Sequence, residues 1–260
     1  MMVRMDMTPV ASTPAAQPEA PGRIWKFWGT LLWGLAIYAA FNAAQFIALA
    51  GVVAWRGPLA DDADLQKVAF HGVALSIMTV STVPAVLAVI WLAVRRAGTP
   101  FADYLALHGF RIADLWVGLA LIALYLPAVD ALAHLSGRPV TPQVVIYSYT
   151  SARDAGALIL LLLAVSLAAP IGEEFTVRGF LFRGWAATRL GPGGAIVLTA
   201  MLWAAMHLQY DWFFMGEIFG VGLVFGYMRW RSGSTWMTVA LHGIYNFAAI
   251  VQAAVLDRIG

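Results

Sequence analysis

The stretch Ala169-Pro170-Ile171-Gly172-Glu173-Glu174-Phe175-Thr176-Val177-Arg178-Gly179-Phe180 sets two adjacent carboxylates and a guanidinium among long apolar runs. The run before it, Leu158 to Ala169, contains no charge. An ionisable side chain near the centre of a membrane helix costs at least about 2.5 kcal/mol, so three together need a reason. On a helix Glu174 and Arg178 share a face, with the glutamate on the N-terminal side, the better orientation for a pair. Glu173 is turned about 100° away and has no partner close in sequence. A carboxylate left unpaired in an apolar setting is a useful general base. The same stretch also reads as a helix end emerging into water with solvated charges, and the residues alone leave both readings open.

Two further polar pairs lie in apolar segments: Trp203 with His207, and His242 with Asn246, each four residues apart and so on one helix face. A lone membrane histidine often serves only to hydrogen-bond a neighbouring helix. Depth argues for more. If the chain folds back at Pro192, Glu174 lies 18 residues before the pivot and His207 lies 15 after it. In an antiparallel hairpin a carboxylate and an imidazole then stand at similar heights, able to hold a water between them. His242 and Asn246 enter from the same side and supply N–H donors, as stabilisation of a developing oxyanion requires.

Composition sets the surroundings. The 260 residues are 61% hydrophobic and 12% charged, with mean hydropathy +0.77. A soluble domain carries roughly 25% charged residues. The chain therefore reads as an all-α, polytopic transmembrane bundle in the cell membrane. The net charge of +2 gives no case for nucleic acid. The absence of cysteine excludes disulfides, thiolate catalysis and cysteine-ligated metals.

Along the chain, residues 1–22 read as a disordered tail rich in proline and alanine. Residues 23–154 then read as a first set of membrane helices, and residues 155–260 as a second set that carries the polar pairs. About seven spans are expected: 25–55, 68–94, 115–135, one from 155 through the glutamate pair toward Leu190, 195–210, 212–230 and 236–256. A loop is expected at 61–67 and a non-helical polar stretch at 136–154. Gly191-Pro192-Gly193-Gly194 is expected to break the fourth helix. With the N-terminus cytoplasmic, eleven of the sixteen Lys and Arg fall on the cytoplasmic side, which favours that orientation. Gly216, Gly220, Gly222 and Gly226 read as a close-packing face of the sixth span. Glu217 beside them is an intramembrane acid, functional or merely solvated near the span's outer end.

Glu-Glu-x-x-x-Arg, then aromatic-x-x-x-His, then His-x-x-x-Asn, in that order on late membrane helices, resembles the CPBP family of intramembrane proteases, which includes type II CAAX prenyl endopeptidases and bacteriocin-processing proteins. The resemblance covers roughly residues 155–256. The second motif usually has Phe where this chain has Trp203. The resemblance implies that Glu173 activates a water, that His207 helps hold it, that His242 and Asn246 stabilise the oxyanion, and that Glu174 and Arg178 orient the site. It implies hydrolysis of a peptide bond near the cytoplasmic membrane face, on a membrane-associated peptide or lipidated protein. No cofactor is expected: zinc ligation by Glu and His is chemically possible, but there is no His-Glu-x-x-His and the arrangement needs no metal. The alternative is a non-catalytic scaffold or bacteriocin-immunity protein of the same family. A transporter would show an internal repeat between halves, and none is visible.

Overall fold

The computed structural model describes residues 22–259. All but the last residue of the expected N-terminal tail lies outside them. The described residues form ten helices and no strand: α1 Phe27–Arg56, α2 Asp62–Phe70, α3 Gly72–Ala97, α4 Phe101–Tyr104, α5 Ile112–Leu135, α6 Gln143–Asp154, α7 Leu158–Ala186, α8 Gly191–Ala205, α9 Trp212–Ser232 and α10 Thr235–Ile259. The expected all-α polytopic bundle is thus the observed one. Five helices, α1, α3, α5, α7 and α10, are long and apolar enough to cross a membrane. The two other expected spans are present as helices of the same bundle. One of them, α8, has 15 residues and a length of about 22 Å, short of a bilayer's apolar thickness of about 30 Å.

Several boundaries differ from expectation for visible reasons. The 136–154 stretch is not free of helix, because α6 occupies its second half. Val145, Ser148, Tyr149 and Ala152 recur at helical spacing on its inner face, but two of the four are polar or amphipathic, so the apolar period is faint. The Asp61–Lys67 loop is mostly α2, capped by the Asp61 carboxylate, which accepts from the Asp64 N–H at 2.8 Å. The second span accordingly starts at Gly72. The fourth helix stops at Ala186, short of Leu190. Gly191 and Pro192 begin a helix instead of breaking one, since a proline in the first turn has no intrahelical N–H to lose.

Hydrogen bonds fix which helix ends lie together. At one end, Arg23 N–H donates to the Ala97 carbonyl at 2.9 Å, the Ser234 hydroxyl to His108, and the Arg183 guanidinium to Asp103. At the opposite end, Gly72 N–H donates to Ser151 Oγ at 2.9 Å, Ser148 Oγ to the Phe70 carbonyl at 2.9 Å, and Arg153 pairs with Asp257. The amphipathic α2 and α6 therefore sit together at the end away from the N-terminal residues, beside the end of α10.

Candidate active site

Midway along α7 the regular helix gives way to wider π turns at Ala164–Ala168 and Phe175–Leu181. They flank the segment that holds the glutamate pair. Such turns are frequent at functional sites. The two glutamates leave this segment in different directions.

Glu174 points into the protein. It is 0% exposed. Its Oε1 accepts from Arg178 Nη1 at 3.0 Å and lies 2.9 Å from His242 Nδ1. Arg178, also 0% exposed, donates its other terminal nitrogen to the Gly222 carbonyl at 3.2 Å. Its guanidinium lies over the Trp203 ring at 4.6 Å and the Phe225 ring at 5.4 Å. Its own carbonyl accepts from Arg229 Nε at 3.0 Å. The stretch is therefore not a helix end emerging into water: the ion pair is sealed inside. Gly222 makes this packing possible, because a Cβ there would stand 3.0 Å from that of Ala200 and 3.2 Å from the Trp203 ring. Gly226 is similarly tight against Ile196 and Gly220 against Tyr125, whereas Gly216 meets nothing. Three of the four glycines of α9 thus serve close packing.

Glu173 turns the other way, into a cavity of about 410 Å³. Trp203, 1% exposed, donates its indole N–H to Glu173 Oε2 at 2.6 Å. The Trp203 carbonyl lies 2.8 Å from His207 Nδ1. A carbonyl only accepts, so Nδ1 carries the proton and the neutral ring keeps its lone pair on Nε2. Tyr210 stacks on the His207 ring, centroids 5.9 Å apart and planes within 7°. No direct hydrogen bond joins Glu173 to His207 among the described residues; Trp203 spans the two. His242 and Asn246, one turn apart on α10, line the same cavity. The Glu174 carboxylate, paired with Arg178, accepts the His242 Nδ1 proton, so Nε2 is the nitrogen left for a ligand. Asn246 donates one N–H to the Val165 carbonyl at 2.7 Å, in the first π turn, and keeps a second. Gly243 brings α10 against that turn: a Cβ there would lie 2.5 Å from the Ser166 carbonyl oxygen.

Of the six residues singled out from sequence, Glu173, His207, His242 and Asn246 line one cavity, and Glu174 with Arg178 stands directly behind His242. Sequence reasoning undervalued Trp203, noted as a neighbour of His207 and as a departure from Phe but given no role. The signal was there, since indole has an N–H donor and a phenyl ring has none. Tyr245 was passed over between His242 and Asn246, yet its hydroxyl donates to Glu217 Oε1 at 3.1 Å. Glu217 is half-buried and lines the cavity. Among the described residues no three His, Asp or Glu side chains are grouped to hold a metal ion. Glu174 is engaged by Arg178 and His242, and Glu173 by Trp203.

Residues 155–248 match the family model described as type II CAAX prenyl endopeptidase Rce1-like. The matched segment contains all six residues and Trp203. A stretch of 137 residues is 32% identical to an Escherichia coli protein named "Uncharacterized 24.3 kDa protein", covering 50% of this chain and 56% of that one. The chain thus spans about half the length of the curated relative it matches. No solved structure matches. With its five long apolar helices, the chain is a multi-pass membrane protein. Its residues 155–248 are similar to the type II CAAX prenyl endopeptidase Rce1-like family.

Proposed function

We propose that the chain is an intramembrane endopeptidase that hydrolyses a peptide bond of a membrane-associated peptide or lipidated protein with a water activated by Glu173. One observation carries this reading: a general base, two imidazoles and a carboxamide from α7, α10 and the turn that follows α8 line one cavity, backed by a buried ion pair. Glu173 takes a proton from the water as its oxygen attacks the carbonyl carbon, then passes that proton to the leaving amine. His207 Nε2 accepts the water's second hydrogen and so orients it. The free Asn246 N–H donates to the oxyanion. His242 donates from Nε2 when it is protonated, with Glu174 as its counter-charge, much as a carboxylate supports the histidine of a hydrolytic triad. No acyl intermediate forms, which suits a chain with neither cysteine nor a Gly-x-Ser-x-Gly. This sequence of steps requires no metal.

The cavity also bears on where cleavage occurs. It extends to the bundle end that carries α6 and the 206–211 turn, opposite the end that carries Arg23, Arg95 and Arg96. A cytoplasmic N-terminus and cleavage near the cytoplasmic face, both expected above, therefore conflict. We place cleavage at the face opposite the N-terminal residues.

The test is incubation of detergent-purified protein with a quenched prenylated peptide, with and without a strong zinc chelator. Chelator-resistant cleavage supports the proposal. Cleavage lost to chelator and restored by zinc overturns the metal-free mechanism. A protein that cleaves neither this peptide nor membrane-protein segments, yet captures a membrane partner, is the non-catalytic scaffold.

A further inference from the structure

The cavity continues beyond the residues used above. On α10 the lining runs from His242 through Tyr245, Asn246 and Ala249 to Gln252, a rise of about 15 Å. Along that wall stand two carboxylates that the mechanism does not use. Among the described residues the Glu217 carboxylate accepts only from the Tyr245 hydroxyl, and that of Asp130 only from Gln252 Nε2 at 3.4 Å. Neither forms an ion pair among the described residues. Among the described residues no Lys or Arg lines the cavity, and Arg178 is screened from it behind Glu174. At the same end, Thr141 is 2% exposed and lines the cavity, and its hydroxyl has no hydrogen-bond partner among the described residues. A half-buried carboxylate with only a neutral partner is costly, and a hydroxyl left unsatisfied in the same wall adds to the deficit.

Resting on the endopeptidase reading, we infer that this end of the cavity is a subsite for a cationic side chain of the substrate peptide, a Lys or Arg that pairs with Glu217 and Asp130. An extended peptide rises about 3.3 Å per residue, so a 15 Å wall places the basic residue within about four residues of the scissile bond. The preferred substrate is therefore a basic segment, not merely a prenylated or apolar one.

The experiment separates binding from cleavage. Fluorescently labelled peptides of one length, carrying Lys, Gln or Glu four residues from the centre, are titrated into the detergent-purified Glu173→Ala protein. The Lys peptide is expected to bind at least about tenfold more tightly than the Glu peptide, a difference of about 1.4 kcal/mol, and the preference should weaken with salt. The Asp130→Asn, Glu217→Gln double variant should bring the ratio toward one. Equal binding of the three peptides, or tighter binding of the Glu peptide, overturns the subsite whether or not the wild-type protein cleaves. A Lys preference in a protein that cuts none of the peptides upholds the subsite and counts against the endopeptidase reading.

Discussion

Glu173 and Glu174 are neighbours in the chain, but their removal is expected to do different things. Glu174 neutralises Arg178 in a site from which both are excluded from water. Glu174→Gln strands that guanidinium, and breaking a buried pair typically costs about 3–5 kcal/mol. The variant should melt well below wild type in detergent while keeping more activity per folded molecule than Glu173→Gln. Equal melting temperatures would contradict the role given to the pair. Trp203→Phe keeps the ring under Arg178 and deletes the N–H that holds Glu173. We expect a fall in kcat of about tenfold with a stability change of no more than about 1.5 kcal/mol; unchanged kcat would mean that the 2.6 Å contact does not position the base. The Glu174–Arg178 pair was legible because four residues is one helical turn. The hold of Glu174 on His242 was not, because it joins residues 68 apart in sequence, and only packing of α10 on α7 creates it.

Among the elements, the contact of α10 with α7 does most to assemble the site. It delivers His242 to Glu174 and Asn246 to Val165, and Gly243 sets its closeness. Gly243→Ala puts a methyl group 2.5 Å from the Ser166 carbonyl oxygen, which forces the helices apart. Overpacking of this kind costs about 1–3 kcal/mol, and the separation should lower activity more than stability, since His242 and Asn246 move together. Activity and melting temperature measured on the same preparation test this; wild-type kcat in a stable Gly243→Ala protein would contradict it. The π turns on either side of the glutamates could not be read from sequence, because no residue pattern distinguishes them from ordinary helix in an apolar run. The helical face of α6 was present in the spacing of Val145, Ser148, Tyr149 and Ala152, but it was hidden by polar residues that here are buried against α2 and α3.

For the whole molecule, composition was enough to give an all-α membrane bundle, since a chain this apolar has too little polar surface for any other. The number of crossings was less legible, because α8 is short and α9 carries Glu217 and Arg229. The conflict between a cytoplasmic N-terminus and a cytoplasmic cleavage site was invisible until the fold showed that the cavity and the N-terminal residues belong to opposite ends. The chain has no cysteine, so single introduced cysteines report cleanly. Arg189→Cys and Gln209→Cys should react with an impermeant maleimide from opposite faces of sealed vesicles. Labelling of both from one face would overturn the placement of the cavity.

The central claim is that Glu173 activates the water, and the most direct measurement of it is kcat for Glu173→Gln beside wild type on one quenched, lysine-containing prenylated peptide, with melting temperature as the control. Gln preserves the size of the side chain and an oxygen for the Trp203 N–H while removing the base. The account predicts a loss of about 10²–10⁴-fold, the usual worth of a positioned general base, at an unchanged melting temperature. A Glu173→Gln protein that cleaves within a few-fold of wild type would contradict it.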